Sequence, residues 1–245
     1  MVTNMNKEKI INGLKWFLKS YLWLIPLLII IDYVTKVVCF DTKVNVTIIN
    51  NFLFFKLHGN TGAAWSILED HPEILAIISV LASIVMIIYI VKSYNKTKLP
   101  HRIAVYLILA GTMGNMIDRC FQFVPGTRYY NFGVIDFISF KFGTYYFPIF
   151  NIADSSLVIG VILLMLLMVI EEVLVYVYKN KIEVLKPQFV EIIQKTENEE
   201  IKTSYNQLLE NITTSLAKEN STNIKTYYNQ MLGIVNSFEE EKNGK

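Results

Sequence analysis

The sequence predicts a membrane protein of the all-α class with a small β component: four transmembrane helices, an extracytoplasmic β-rich cap and a polar C-terminal helical extension. Of its 245 residues, 53% are hydrophobic and 18% are charged, and the mean hydropathy is +0.37. Soluble domains carry about 25% charged residues. The long apolar runs lie within residues 1–178, whereas residues 179–245 hold nine Lys and ten Glu. This change in composition predicts a transmembrane domain, 1–178, and a charged extension, 179–245.

Four apolar segments predict the transmembrane helices. Residues 74–91 carry no charge and approach the length of about 20 residues that crosses a hydrocarbon core. Residues 103–117 are also free of charge, and the fourth segment carries one charge, Asp154, up to residue 170. The first segment carries Asp32 and Lys36 near one end. No small-x-small cleavage site follows it, so we interpret it as a retained helix and not as a cleaved signal peptide. The predicted spans are about 17–40, 74–91, 103–118 and 152–172.

Lysine and arginine residues in the short connections predict the orientation of these spans. They concentrate in the N-terminal segment, in residues 92–102 and in residues 179–186. By the positive-inside rule these segments face the cytoplasm, and both termini are then cytoplasmic. The connections 41–73 and 118–151 lie on the extracytoplasmic side.

The two outer connections predict the β-rich cap. Both are rich in β-branched and aromatic side chains, which favour strands, and Gly133 and Gly143 provide turn points. We therefore expect strands within residues 41–70 and 125–150. Because aromatic rings favour the membrane–water interface, the cap is expected to lie on the outer leaflet.

The composition also excludes several functional classes. The formal net charge of +2 gives no global field that would attract nucleic acid. Two cysteines, Cys39 and Cys120, are too few for a disulfide scaffold and form no CxxC motif, and their redox state is left open. The three histidines are scattered and form no zinc-binding pattern. We therefore expect no metal and no other cofactor.

Polar side chains gather at the predicted outer ends of the spans. Charged groups at membrane depth are costly and usually functional. This set contains Asp32 and Lys36 from span one, Asn115, Asp118 and Arg119 from span three, Asp136 from the outer connection, and Asn151 and Asp154 from span four. Their common depth predicts a shared site.

A structural role is the alternative for each group taken alone. Asp32 and Lys36 are spaced i, i+4 and can pair on one helix face. Asp118 and Arg119 are adjacent, so they cannot face each other on a helix, and each needs another partner. Arg119 suits the orientation of substrate carbonyls or the binding of a carboxylate, but it also suits a fixed pairing with Asp118 or Asp32.

Five short motifs occur in order along residues 20–170. They are Asp32-x-x-x-Lys36, residues 60–63 (NTGA), 114–119 (GNMIDR), 134–137 (VIDF) and 147–155 (FPIFNIADS). In this order and at these places among four spans, they resemble the motifs of lipoprotein signal peptidase, also called signal peptidase II, a family of membrane aspartic proteases. Residues 179–245 extend beyond the usual end of that family.

The resemblance implies a function and roles for individual residues. It implies an endopeptidase of the bacterial cell membrane that removes signal peptides from diacylglyceryl-modified prolipoproteins, cleaving just before the lipidated cysteine at the extracytoplasmic side. The expected partners are these substrates and membrane lipids, with no nucleic acid, and we expect a monomer. The implied roles are catalysis for Asp136 and Asp154; substrate binding for Asn60, Gly62, Asn115, Arg119, Asn151 and Ala153; and support for Asp32, Lys36 and Asp118.

Two carboxylates suit this chemistry without a metal, a cysteine or a serine triad. Like charges a few ångströms apart resist double ionisation, so one carboxyl keeps a proton. The ionised partner can activate water, and the protonated partner can donate to the peptide carbonyl. We interpret most aromatic side chains of residues 129–150, and Trp65, as interfacial anchors, with a flap over the site as the alternative.

Two other functions compete with proteolysis. A proton-linked carrier would place ionisable groups near the bilayer midplane, but residues 74–91 and 103–117 contain no acid, which argues against transport. A non-catalytic scaffold explains the hydropathy but not the two outer aspartates. For residues 179–245, partial helical periodicity predicts two or three amphipathic cytoplasmic helices, interpreted as a solvated appendage with partner binding as the alternative.

Overall fold

The computed structural model describes residues 2–62, 71–218 and 221–243. In chain order its elements are α1 (Val2–Ser20), α2 (Leu24–Asp41), β1 (Asn45–Ile49), β2 (Leu53–Asn60), α3 (Pro72–Ser93), α4 (Leu99–Phe121), β3 (Val134–Phe142), β4 (Tyr145–Tyr146), α5 (Ile152–Lys195), α6 (Glu199–Ala217) and α7 (Ser221–Asn243). The chain forms two compact units, residues 1–164 and 165–245. The predicted domain boundary at residue 178 stays a prediction.

The first unit carries apolar helices of membrane-spanning length. Within the described residues, α3 and α5 are each long and apolar enough to cross a membrane. The segments Asn12–Ser20 and Leu24–Asp41 qualify together as a third span that is bent by 68°. Thus a mostly helical membrane protein is confirmed, while the count of four spans stays a prediction. The third predicted span lies in α4, which is less apolar because Asn115, Asp118 and Arg119 occupy its last turns.

The first predicted span, 17–40, is not one helix. It breaks between Ser20 and Leu24, where Tyr21 adopts a left-handed φ of 60°. The Ser20 hydroxyl donates to the Phe17 carbonyl and accepts from the Leu22 N–H, at 2.6 and 3.2 Å. These local bonds satisfy backbone groups that the broken helix leaves without partners.

Helix α4 is the central helix of the first unit. It packs against both α2 and α3, and its buried face includes Tyr106, Leu109 and Asn115. Small residues bring it close to the start of α5: a Cβ atom on Gly111 would lie 2.3 Å from the carbonyl oxygen of Ala153. This close approach places the end of α4 beside the first turn of α5.

The connections between α2 and α3 and between α4 and α5 form an antiparallel sheet of strand order β1-β2-β3-β4. The predicted small β component is therefore confirmed. In the register of β2 and β3, His58 lies opposite Asp136 and Asn60 lies opposite Val134, with an irregularity between Phe55 and His58. Gly133 precedes β3 with a left-handed φ of 78°, and a Cβ atom there would meet the Asn60 carbonyl oxygen at 2.4 Å. The sheet thus brings Asp136 beside the end of β2.

The second unit has a hydrophobic core of its own. The last turns of α5 pack with α6 and α7 around Phe189, Ile212, Ile224 and Met231, which are 0–2% exposed. Asn198 caps α6, since its side chain accepts from the N–H groups of Glu200 and Ile201. Two or three helices were predicted here, and this region contains α6, α7 and the end of α5, which passes Pro187 without interruption.

Replacing Gly111 with alanine tests the contact between α4 and α5. The added methyl group has no space against Ala153, so we expect the free energy of unfolding to fall by about 1–3 kcal/mol. Gly13→Ala is the matched control, because no described neighbour lies within 4 Å of its Cβ position. It should raise helix stability by about 0.5–1 kcal/mol. Denaturant unfolding in detergent micelles measures both, and equal stabilities would contradict the packing.

Candidate active site

A buried polar cluster lies where α2, α4, β3 and the start of α5 meet. Its most buried members, at 0–5% exposure, are Asp32, Lys36, Asn115, Asp118, Asp136 and Asn151. Buried polar and charged groups need partners, because an unpaired charge in a medium of low dielectric constant is strongly unfavourable. The structure provides such partners within the cluster itself.

Lys36 lies at the base of the cluster and is fully buried. Its ammonium nitrogen is 2.7 Å from Asp32 Oδ2 and 2.9 Å from Asp118 Oδ2. The other oxygen of Asp32 accepts from the backbone N–H of Ala153 at 2.8 Å, and Asp118 also accepts from the N–H of Ile135 at 3.2 Å. The two ion pairs therefore connect α2 and α4 to the first turn of α5 and to β3.

The same lysine fixes the orientation of the Asn115 amide. Lys36 Nζ donates to Asn115 Oδ1 at 2.9 Å. An ammonium group has donors only, so it must face the amide oxygen and not the amide nitrogen. The amide nitrogen of Asn115 then points the other way and donates to Asp154 Oδ1 at 2.7 Å.

Asn151 contacts both candidate catalytic acids. Its amide nitrogen lies 2.7 Å from Asp136 Oδ1, and its backbone N–H donates to Asp154 Oδ2 at 3.1 Å. In return, Asn151 Oδ1 accepts from the N–H of Asp154 at 2.8 Å. This reciprocal pair is a capping box at the start of α5. Asp154 therefore sits in the first helical turn, where the positive end of the helix dipole favours an anion.

Asp136 is 1% exposed on β3. Burial, together with the charge of Asp154, raises the pKa of its carboxyl group to about 7. Two amides favour its ionised form: Asn60 Nδ2 donates to Asp136 Oδ2 at 3.0 Å, and Asn151 donates to Oδ1. Burial outweighs them, so near neutral pH this carboxyl can hold a proton.

Arg119 and the end of β2 border the cluster. The guanidinium of Arg119 lies 3.5 Å from the Gly62 carbonyl oxygen, and its Nε is buried without a hydrogen-bond partner among the described residues. Asn60 Oδ1 accepts from the N–H of Gly62 at 3.1 Å. Ala63, from the second motif, and Trp65, interpreted as an interfacial anchor with a flap as the alternative, lie outside the described residues.

The structure resolves several alternatives that the sequence left open. Asp32 and Lys36 do form the i, i+4 ion pair, but Lys36 also holds Asp118. Asp32 and Asp118 thus share Lys36 as their partner, which leaves the Arg119 guanidinium directed to Gly62. All the predicted site residues lie in or beside this cluster.

Two contributors were absent from the predicted site. Gly114 allows the close approach of Asp32 and Ala153, since a Cβ atom there would lie 2.8 Å from Asp32 Oδ2. Ile135 contributes backbone atoms only: its N–H donates to Asp118 and its carbonyl lies 3.3 Å from the Asn151 amide nitrogen. The glycine of the GNMIDR motif could have indicated the close approach at Gly114. The role of Ile135 could not be found in the sequence, because it depends on backbone atoms and not on the type of side chain.

Together, the apolar helices and the cluster of buried carboxylates define a membrane protein with a buried polar site. The family model of signal peptidase (SPase) II matches residues 24–170. This chain belongs to the signal peptidase II family.

Individual relatives agree with this assignment. A lipoprotein signal peptidase of Listeria welshimeri is 38% identical over 156 residues, which cover 62% of this chain and 95% of that protein. One of Geobacillus kaustophilus is 36% identical over 148 residues, or 59% of this chain and 90% of that protein. A solved structure described as a bacterial membrane enzyme studied by the in meso method at 2.3 Å resolution is 34% identical. It has a TM-score of 0.53 and covers 64% of this chain and 91% of its own.

Replacing Lys36 with methionine tests whether the cluster depends on the buried ammonium. The substitution leaves two buried carboxylates without their cation, so the free energy of unfolding should fall by about 3–5 kcal/mol. Lys56→Met, on the exposed side of β2, is the control and should change stability by less than about 0.5 kcal/mol. Denaturant unfolding in micelles compares the two.

A combined variant separates the charge from the packing. Adding Asp32→Asn and Asp118→Asn to Lys36→Met removes all three charges and should recover part of the lost stability. If Lys36→Met unfolds at the same denaturant concentration as Lys56→Met, the ion pairs do not stabilise the fold.

Proposed function

We propose that the chain is an aspartic endopeptidase in which Asp136 and Asp154 hydrolyse a peptide bond of a prolipoprotein. Members of the signal peptidase II family remove signal peptides from prolipoproteins, and this chain is a bacterial membrane peptidase of that family. The proposal covers four points: the aspartic mechanism, the site residues, the cleavage position and the topology.

The contact of Asn151 with both acids carries the proposal. One residue donates to Asp136 through its side chain and to Asp154 through its backbone. Such a bridge keeps two carboxyl groups near each other although their like charges repel. Groups with this arrangement titrate as a pair and retain one proton in a pH range where separate carboxyl groups would both be ionised.

The proton resides on Asp136 in the resting pair. Asp136 is almost fully buried, and its raised pKa favours the neutral form. Asp154 is half-buried, lies in the first turn of α5 and accepts from Asn115, whose amide is oriented by the Lys36 ammonium. These donors stabilise the ionised form of Asp154.

Hydrolysis then proceeds by general acid–base catalysis. Asp154 accepts a proton from water as the water oxygen bonds to the scissile carbonyl carbon, and Asp136 donates its proton to the carbonyl oxygen. In the second step Asp154 passes its proton to the peptide nitrogen, the C–N bond breaks, and Asp136 regains a proton from the diol. The products are a carboxylic acid and an amine, and the pair returns to its starting state.

Residues around the acids bind the substrate backbone. Asn60 contacts Asp136, Arg119 lies beside Gly62, and the buried Ala153 precedes Asp154. Amide or guanidinium donors satisfy substrate carbonyls that lose water on entering the membrane. The substrate is a diacylglyceryl-modified prolipoprotein, cleaved just before the lipidated cysteine. Its acyl chains stay in the bilayer because each buried CH₂ contributes about 0.8 kcal/mol.

Single substitutions of the acids test the catalytic pair. Asp136→Asn and Asp154→Asn preserve side-chain size but remove the shared proton and the base, so each should reduce processing at least about 10³-fold. The matched control is Asp41→Asn, an exposed acid on α2 that pairs with Arg128. A gel-shift assay with a diacylglyceryl prolipoprotein measures processing, and full activity in either site variant would exclude the pair.

The pH profile tests which acid holds the proton. As pH rises through the raised pKa of Asp136, about 7, the pair loses its proton, so kcat/KM should fall on the alkaline side. Asn60→Ala removes a donor that favours the ionised form, and the alkaline limb should then move to higher pH. Asn45→Ala on exposed β1 is the control. An unshifted limb in Asn60→Ala would contradict the assignment to Asp136.

The proposed topology places four spans in the membrane, both termini in the cytoplasm and the site outside, in a monomer. Single cysteines are introduced at residues 97, 131 and 225 of a variant in which Cys39 and Cys120 are alanine. An impermeant thiol reagent applied to intact cells should label residue 131 only, because basic connections remain in the cytoplasm. Labelling of residue 97 or 225 from outside would reverse the orientation.

A further inference from the structure

Basic and aromatic side chains gather where α3 ends and α4 begins. This end of α4 is remote from the candidate active site, since Arg102 and Asp118 are separated by 16 residues, or about 24 Å of helix. We name Tyr94, Lys98, Arg102 and Tyr106 the basic–aromatic cluster. The peptidase mechanism uses none of its members.

A small cavity opens beside the cluster. Its volume is about 10 Å³, and its lining includes the side chains of Ser93, Tyr94, Thr97, Arg102 and Tyr106. This volume accommodates about one water molecule, so a larger ligand must bind at the mouth and reach inward through a single polar atom.

Two buried polar atoms at this cavity lack partners. Tyr106 is 0% exposed. The Arg102 guanidinium lies beside its hydroxyl group, which makes no hydrogen bond of good geometry within residues 2–62, 71–218 and 221–243. The same holds for the buried Nε of Arg102. Buried donors without partners are rare, because their loss of hydration is not compensated. They indicate an acceptor that completes the site.

The surrounding charge selects an anion. Residues 92–102 contain Lys92, Lys96, Lys98 and Arg102 and no acidic residue. Helix α4 begins at Leu99, with Pro100 in its first turn, and the first N–H groups of a helix have no intrahelical partner. A helix N-terminus flanked by basic side chains favours a phosphate group.

The position of the cluster indicates that the phosphate belongs to a lipid. Helix α3 is a membrane-spanning candidate, and its last turns expose Ile87, Ile88 and Val91. The centre of the Tyr94 ring is 4.5 Å from the Arg102 guanidinium and 5.6 Å from the centre of the Trp16 ring. Tyrosine and tryptophan favour the membrane–water interface, which places the cluster at headgroup depth with an apolar surface for acyl chains beside it.

We propose that the basic–aromatic cluster binds the phosphate headgroup of an anionic phospholipid at the α3–α4 connection. The phosphate contacts Arg102 and the N-terminus of α4, and the Tyr106 hydroxyl donates inward to it, directly or through one water molecule. The acyl chains lie along the exposed side of α3. This site is separate from the substrate-binding site and does not depend on the catalytic assignment.

Lipid titration of the full-length protein in zwitterionic detergent micelles tests the proposal. The probes are phosphatidylglycerol, phosphatidylcholine and inorganic phosphate, and native mass spectrometry counts bound lipid. We expect saturable binding of one phosphatidylglycerol that phosphatidylcholine does not reproduce. Arg102→Gln should weaken it about five- to tenfold, since a basic residue near anionic lipid contributes about that factor. Tyr106→Phe should weaken it about two- to fivefold through the loss of one hydrogen bond.

Arg128→Gln is the matched control, since Arg128 lies beyond the opposite end of α4 and pairs with Asp41. It should leave lipid binding unchanged. Tyr106→Phe keeps the test valid if Arg102→Gln fails to fold, because it removes only one oxygen atom. Equal binding of phosphatidylglycerol and phosphatidylcholine would overturn the proposal. So would displacement of the lipid by millimolar inorganic phosphate, or equal affinity in the Arg102, Tyr106 and Arg128 variants.

Discussion

The buried ammonium group of Lys36 is the interaction on which the rest of the site depends. It lies within 2.9 Å of Asp32, Asp118 and Asn115, which come from α2 and α4. A charge removed from water is tolerated only when its partners are close and well oriented. The three contacts therefore hold two helices at a fixed distance, and Asp32 extends the network to the backbone of Ala153 in α5. The contacts of Lys36 therefore determine both the stability of the fold and the geometry of the site.

The start of α5 connects this network to the proposed chemistry. Its capping box joins Asn151 and Asp154, and the Asn151 side chain also reaches Asp136 on β3. The N–H groups that a helix end leaves without intrahelical partners are thus used to bind a carboxylate. One acid is placed on a helix and favoured as an anion, while the other is placed on a strand and favoured as a neutral group. This difference between their surroundings gives the pair its proposed acid and base.

Much of the fold follows from patterns that are local in the sequence. Hydropathy predicted α3 and the apolar part of α5, and β-branched and aromatic residues predicted the sheet, since both signals depend on neighbouring residues. The break at residues 21–23 was missed because hydropathy carries no information on the left-handed φ of Tyr21. The hydrophobic core of residues 182–235 was anticipated only as helical periodicity.

The candidate site was partly predictable for a related reason. The acids and amides were grouped into one predicted site because they fall at a common predicted depth in the membrane. The spacing of Asn151 and Asp154 is also a capping-box pattern. By contrast, the Lys36–Asn115 contact joins residues 79 apart in sequence, and no local pattern specifies it. The orientation of the Asn115 amide, which directs its nitrogen to Asp154, therefore required the structure.

The central claim is that Asp136 and Asp154 hold one proton together near neutral pH. Infrared spectroscopy of the full-length protein, with carboxyl-labelled aspartate, measures this directly through the stretch of protonated carboxyl groups. Comparison of the wild type with Asp136→Asn isolates the contribution of the pair. The account predicts that the difference between the two spectra contains a protonated-carboxyl band at about pH 6, which fades as pH rises through about 7. Identical protonated-carboxyl bands in the wild type and in Asp136→Asn at about pH 6 would contradict the account.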